Sequence, residues 1–393
     1  MASTPVVTAL EDSLTAEESA LRDLARDFAA GEIAPHAAGW WQEERFPVEL
    51  FRKMGELDLM GLLVPERFGG TGMSTRALVA ALFEVGKADQ SVAAAWQAHL
   101  TIGTLPLLTF GDDEQRDRWL TPIARGEKLA SFGLTEPNAG SDAAGIQTVA
   151  KRVDGGWVVS GSKTFISNAC TDMSLGPVIL ARVASEDAKD TDGGYVTLLM
   201  PKGTPGFSFG PKLRGIGWHA LDSRELNFDD VELSDDHVVG VAGQGLSQFL
   251  AVLDVGRITV ATLGISLAEA VLEMALAYAK ERRQFGRTLS KFQAIQFKLA
   301  DIAAQLEAVK LLVYRAAALR DAGKPFGKEG AMAKLLSSSL AVSAVSEAVQ
   351  IHGGYGYMHE YPVARFYCDA KVLEIGEGTN EIQRLVIARH LGC

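Results

Sequence analysis

The chain has 393 residues, 22% of them charged, with a net charge of −11. That length allows two or three domains around a substantial core. The acidic balance leaves no cationic surplus to displace counterions from phosphates, which argues against nucleic acid as the main partner.

Residues from about Ala16 to Gly126 read as helical. Thr15 with Glu18 forms a capping box, followed by Leu21, Leu24, Ala25 and Phe28 at helical spacing. Val64 to Gly72, with a proline and three glycines, is a loop. Apolar helices resume over Ala77 to Val85 and Val92 to Phe110, where Trp96, His99 and the Leu105 to Leu108 run read as core. Near Ser131 the period changes. Trp157–Gly161, Val178–Arg182, Tyr195–Met200 and Glu225–Leu233 are short β-branched runs separated by Asp154-Gly155-Gly156, Asp192-Gly193-Gly194 and Gly203–Gly206. Such spacing predicts an antiparallel barrel or sandwich, with Asp229-Asp230 a bulge or turn. From about Gly245 helix returns: Leu267, Val271, Met274 and Tyr278 mark one face, and Phe292, Ile295, Leu299, Ile302 and Leu306 another. Long helices of that kind pack as a bundle. The expectation is a mainly α chain with a central β domain: 1–130 helical, 131–245 β, 246–393 helical.

Cys170, Cys368 and Cys393 show neither metal nor paired-thiol spacing and fit a reducing compartment. No uninterrupted apolar run approaches the roughly 20 residues that span a bilayer. Met1 to Arg22 carries Glu11, Asp12, Glu17 and Glu18 and lacks an apolar signal core, so the expected location is cytoplasmic. No histidine pair has metal-ligand spacing, and no metal is expected.

The stretch Glu374 to Gln383 holds one carboxylate, Glu377, between Gly376 and Gly378, in a break between two helical runs. Glycines keep side chains from crowding a ligand there, so Glu377 suits a general base beside a flat molecule. The alternative is a glycine turn with a solvated Glu and a Thr or Asn cap. Three other segments accompany it in order: Leu134 to Asp142, Arg282 to Gly286, and Gln350 to Gly356. No G-x-G-x-x-G sits on a strand-to-helix turn, which argues against a Rossmann site.

Taken together, these four segments resemble the acyl-CoA dehydrogenase family over nearly the whole chain. The resemblance implies a helical domain, a β domain and a C-terminal four-helix bundle, with FAD as cofactor. It implies that Phe132 to Ser141 lines the flavin, including Leu134 and Gly140. Thr135 would bond the isoalloxazine edge, and Ser141 would lie between flavin and pantetheine. Phe165-Ile166-Ser167 stands where the family usually has Trp followed by Thr; Phe165 keeps an aromatic face and Ser167 a hydroxyl for flavin N5. Arg282 and Gln293 would reach the FAD pyrophosphate of a neighbouring subunit, with Gln350, Gly353 and Gly354 on its adenosine half and Phe285 beside them. Thr379 and Glu381 complete the implied cofactor contacts, and Asp254 and Arg257 the CoA contacts. Some branches carry the catalytic Glu just before that arginine. Here the position is Gly256, so the role passes to Glu377.

The implied reaction is α,β-dehydrogenation of an acyl-CoA: Glu377 removes the α-proton while hydride leaves the β-carbon for flavin N5. The implied oxyanion donor is the Glu377 backbone N–H with a ribityl hydroxyl. An electron-transferring flavoprotein would take the electrons, and a shared FAD makes a homotetramer the expected assembly. Gly376 replaces the Tyr common in straight-chain members, as in branched-chain ones, so Gly376 and Gly378 border the acyl group and a short or branched chain is expected. The open alternative is that Gly376 only relieves turn strain, with Phe165 or Tyr355 filling the space. An oxygen-using acyl-CoA oxidase and a non-catalytic CoA- or partner-binding protein are the rival readings.

Overall fold

The computed structural model describes residues 14–184 and 194–393. Asp192-Gly193, Glu11 and Asp12 lie outside the described residues. The first helical block contains α1 (Ala16–Phe28), α2 (Ala37–Gln42), α3 (Val48–Glu56), α4 (Thr75–Ala88), α5 (Gln90–Ala98) and α6 (Leu105–Phe110). The Thr15–Glu18 capping box is formed: the Thr15 hydroxyl accepts from Glu18 N–H at 3.2 Å, and Glu18 accepts from Thr15 N–H at 2.9 Å. At the end of α5 the chain widens into a π-helical turn, His99–Gly103.

Trp96 and His99 are fully buried, as the apolar pattern implies. His99 Nδ1 accepts from Ala130 N–H at 3.1 Å, which makes its Nε2 the donor to the Met60 carbonyl at 2.9 Å. Burial pushes its pKa down to about 4, so it is neutral. The ring thus fastens the helical block to the first strand.

The β block holds β1 (Leu129–Gly133), β2 (Val149–Val153), β3 (Gly156–Ser167), β4 (Ser174–Val183), β5 (Tyr195–Leu199), β6 (Phe207–Lys212) and β7 (Ser223–Ser234). The sheet order is β1-β4-β2-β3-β7-β6, with β5 on β4. It is mixed rather than wholly antiparallel, because β1 and β2 both pair parallel to β4. Long connections between those pairs permit the parallel arrangement, which alternation along a single strand cannot reveal. The Asp229-Asp230 bulge is present: the β3–β7 register slips opposite Gly161, and Asp230 sits at φ +46°.

The C-terminal block contains α7 (Gly245–Glu281), α8 (Gln293–Asp321), α9 (Gly327–His352), α10 (Pro362–Ala370) and α11 (Asn380–Leu391). A two-strand hairpin, β8 (Arg283–Gln284) with β9 (Arg287–Thr288), links α7 to α8. α7 packs on α8, α9 and, across the block boundary, on α4 and α5. One continuous apolar core therefore joins both helical blocks. Two helical stretches, Gly245–Glu281 and Gly327–Tyr357, are long and apolar enough by composition to cross a membrane. In α7, 78% of the most apolar window is buried in protein, so its hydrophobic surface serves this core.

Candidate active site

Glu377 sits in the break between α10 and α11 at φ +51°, in the left-handed region where a β-carbon is disfavoured. Such a conformation costs about 1–3 kcal/mol and persists only where the surroundings hold it. Three contacts hold it. Gln383 Nε2 donates to the Gly378 carbonyl at 2.8 Å, Gly376 N–H donates to Val372 O at 2.8 Å, and the Thr379 hydroxyl caps α11 by accepting from Ile382 N–H at 3.3 Å. The turn does carry a Thr cap, but its carboxylate is not solvated.

Glu377 is half-buried as a whole residue, yet Oε2 is sealed from solvent and has no hydrogen-bond partner among the described residues. Oε1 accepts from Gln97 Nε2 at 2.8 Å. Burial raises its pKa to about 7, with Gln97, Lys334 and Arg257 pulling in the opposite sense. The backbone N–H of Glu377 donates to no group among the described residues. A carboxylate of this basicity beside a free N–H can take a proton while the N–H meets developing negative charge.

Arg257, 7% exposed, lies on α7 beside Gly256 and pairs with Asp254 one turn earlier. Burial lowers the Arg257 pKa and raises that of Asp254. Lys334 on α9 is fully buried; its Nζ donates to Asn380 Oδ1 at 3.2 Å, and burial lowers its pKa to about 8. Nothing in the sequence marks Gln97 or Lys334 as a neighbour of Glu377. The only signal available was a polar residue inside an otherwise apolar helix.

Around the helical-to-β junction, Phe132 is buried and stacks on Phe249 with centroids 4.2 Å apart. Leu134 and Thr135 are half-buried, Gly140 and Ser141 exposed. The loop is fixed from beneath: Thr164 N–H donates to Thr135 O at 2.9 Å, and Lys163 Nζ reaches Leu134 O at 3.1 Å and Glu136 Oε1 at 2.8 Å. Lys163 and Glu136 are both buried. Burial lowers Lys163 to about 8; it pushes Glu136 upward, but Lys163 and the Thr148 and Gln147 contacts leave Glu136 below its usual value.

A second register break in β3, between Lys163 and Ile166, turns Phe165 outward at φ +60° and 68% exposed. Ser167 is half-buried. Ile166 departs from expectation: it is 3% exposed and packs in the β-block core, so its side chain faces no ligand. The strand's alternation explains this, since neighbours of an outward residue point inward.

Arg282, Gly353 and Gly354 come together in a separate cleft of about 470 Å³, with Tyr278, His352 and Tyr355. The Arg282 guanidinium stands 5.6 Å above the Tyr355 ring. A β-carbon at Gly353 (φ +62°) or Gly354 would meet nothing within 4 Å, so this wall is open to a ligand. Gln350, Gln293 and Phe285 are exposed, Phe285 on the β8–β9 turn at φ +50° and 93% exposed. Glu381 is also exposed, beside Arg384 at 3.6 Å.

The comparisons with known proteins cover nearly the whole chain. Models of the acyl-CoA dehydrogenase N-terminal, middle and C-terminal domains match residues 15–127, 131–231 and 243–392. The chain belongs to the acyl-CoA dehydrogenase family. It is 46% identical to the probable acyl-CoA dehydrogenase YngJ of Bacillus subtilis (strain 168), over 96% of this chain and 98% of that one. It is 42% identical to the mitochondrial short-chain specific acyl-CoA dehydrogenase of Bos taurus, over 94% and 89%. The structure of butyryl-CoA dehydrogenase from Megasphaera elsdenii superposes with a TM-score of 0.93 at 38% identity, covering 97% and 99%. An acyl-CoA dehydrogenase from Bacillus anthracis complexed with FAD superposes at 0.91 with 30% identity, covering 97% of this chain and 67% of that one.

The enzyme is thus an FAD-dependent oxidoreductase acting on CH–CH groups. Its residues fit that cofactor. The outward Phe165 and the braced 134–141 loop offer a face and edges to a flat ring system. The Arg282 cleft offers a cation and unobstructed glycine backbone to phosphates.

Proposed function

We propose that this enzyme oxidises a short or branched acyl-CoA thioester to the 2-enoyl-CoA, with Glu377 as the α-proton base. The observation that carries the reading is the Glu377 carboxylate: enclosed, raised to about 7, and held on a left-handed residue between two glycines. Thioester α-protons are weakly acidic, so a base poised near neutrality balances ionisation against proton affinity. The Glu377 N–H is the oxyanion donor in this reading, aligned by the capped turn. FAD supplies the hydride acceptor. Arg257 and Asp254 serve the CoA portion, with Arg257 also limiting how far burial lifts the base.

Gly376 supports the short or branched preference. It is not in the left-handed region, so the backbone does not demand glycine there, and an added β-carbon would meet only Val372 O at 3.4 Å. Tyr355 stands in the Arg282 cleft. The missing side chain therefore leaves space, and a methyl branch is what such space accepts. Butyryl-CoA and short-chain enzymes among the relatives support the same size class.

Electrons leave, in this reading, to an electron-transferring flavoprotein. The Arg282 cleft serves a neighbour's FAD in a homotetramer, and the free cysteines suit a cytoplasmic setting. The test is a series of acyl-CoA thioesters assayed with an artificial electron acceptor. Highest kcat/KM on four- and five-carbon straight or branched chains, without peroxide formation in air, is expected. Preference for long straight chains, or oxygen-driven turnover, contradicts the reading.

A further inference from the structure

Gln97 is 3% exposed, on the last turn of α5, and its amide nitrogen faces three acceptors at once. Nε2 lies 3.0 Å from Thr101 Oγ1, 3.0 Å from Thr259 Oγ1 and 2.8 Å from Glu377 Oε1. Both hydroxyls are already committed as donors. Thr101 Oγ1 donates to Gln97 O at 2.7 Å, and Thr259 Oγ1 donates to Gly256 O at 3.0 Å. Each can therefore only accept from the amide. Reversing the amide would set its oxygen against two lone pairs and a carboxylate, so the nitrogen is locked toward Glu377.

We propose that Gln97 is a positioning residue for the Glu377 base: the threonine-locked amide fixes the carboxylate's direction through Oε1. This rests on the reading of Glu377 as base. The other charges facing Glu377 are Arg257, with its partner Asp254, from α7 and Lys334 from α9; Glu374 and Glu381 face Lys334 from the same turn and α11. Among the described residues, only Gln97 touches the carboxylate through a directed hydrogen bond. Thr101, four residues on, lies in the π-helical turn, and Thr259 reaches the amide from α7, so two elements set one donor.

The test is Gln97→Met, which keeps length and removes both donors, assayed as kcat/KM against pH. Removing a donor destabilises the ionised carboxylate, so the acid limb should move to higher pH. At pH 7 kcat/KM should fall about tenfold, the scale of one hydrogen bond to a charged group. The deficit should shrink above the new limb, while FAD content and the visible spectrum stay as in the parent. Thr259→Val, which removes one of the amide's two threonine acceptors together with the bond to Gly256 O, should shift the limb the same way by less, and it serves if Gln97→Met does not fold. A limb that stays put, or a loss equal at every pH, overturns the inference. Glu377→Gln is run alongside. If it is inactive while the Gln97→Met limb is unmoved, only the role of Gln97 fails; if Glu377→Gln turns over normally, the base reading fails and Gln97 with it.

Discussion

The Oε2 atom of Glu377 lies 1.9 Å from where a β-carbon on Gly256 would stand. The proposed base on the α10–α11 turn is therefore seated in the side-chain space that α7 leaves open, and Ile102 Cγ2 stands 3.1 Å from that same point. The Glu377 carboxylate and the side chain that Gly256 lacks would occupy one volume. Gly256→Ala should fold, because the atom in the way is the tip of a flexible side chain. It should bind FAD normally and lose about 10- to 100-fold in kcat, part of the roughly 10²–10⁴ that a positioned base provides. Unchanged kcat in a correctly folded variant would show that this seat does not matter.

Gly376→Tyr should discriminate against branched thioesters. The position tolerates a side chain on backbone grounds, so the expected effect is on fit rather than folding. A methyl-sized conflict corresponds to about 1–3 kcal/mol, so kcat/KM for isobutyryl- or 2-methylbutyryl-CoA should fall about 10- to 100-fold relative to butyryl-CoA. Equal losses on both would remove Gly376 as a specificity element.

Arg282→Ala should weaken FAD retention, because a charge-assisted bond to phosphate is worth about 1.5–3 kcal/mol. If Arg282 serves a neighbour's cofactor, light scattering of the parent enzyme should give a dimer or larger, with a tetramer the expected assembly. A monomer that holds FAD tightly would contradict the shared site.

Asp369 on α10 is fully buried, and burial followed by the like charge of Asp89 raises its pKa to about 7 from 3.8. Its Oδ1 accepts from Trp218 N–H at 2.6 Å, and Arg365 reaches Asp89 at 3.4 Å. Between pH 4 and 7 the folded state holds a proton that the unfolded chain has released, so stability falls as pH rises through that window. Glu377, also raised to about 7, adds a slope of the same sign. Asp369→Asn should flatten the decline of Tm between pH 5 and 7.5 without removing it. An identical slope in parent and variant would contradict the assignment.

The three-block order, the Thr15 cap, the Asp229-Asp230 bulge and the Glu377 turn were legible because each is written in neighbouring residues. Periodicity reports burial along one element, and glycine marks a conformation its neighbours must adopt. The parallel pairing of β1 and β2 to β4 was not legible, since register between distant strands leaves no local trace. Nothing in the sequence separates Ile166 from Phe165 and Ser167, while the bulge that turns Phe165 out keeps the Ile166 side chain in the core. The polar shell of Glu377 was hidden for a related reason. Gln97, Thr259 and Lys334 lie on three different helices, none of them adjoining the Glu377 turn, and within runs that look like core.

The central claim is that Glu377 is the base, and Glu377→Gln tests it most directly. The substitution keeps the side chain's shape, so FAD content and thioester binding should match the parent, while turnover of the best acyl-CoA substrate with an artificial acceptor should fall by at least the roughly 10²–10⁴ of a general base. A variant that keeps a tenth or more of the parent rate would contradict the account.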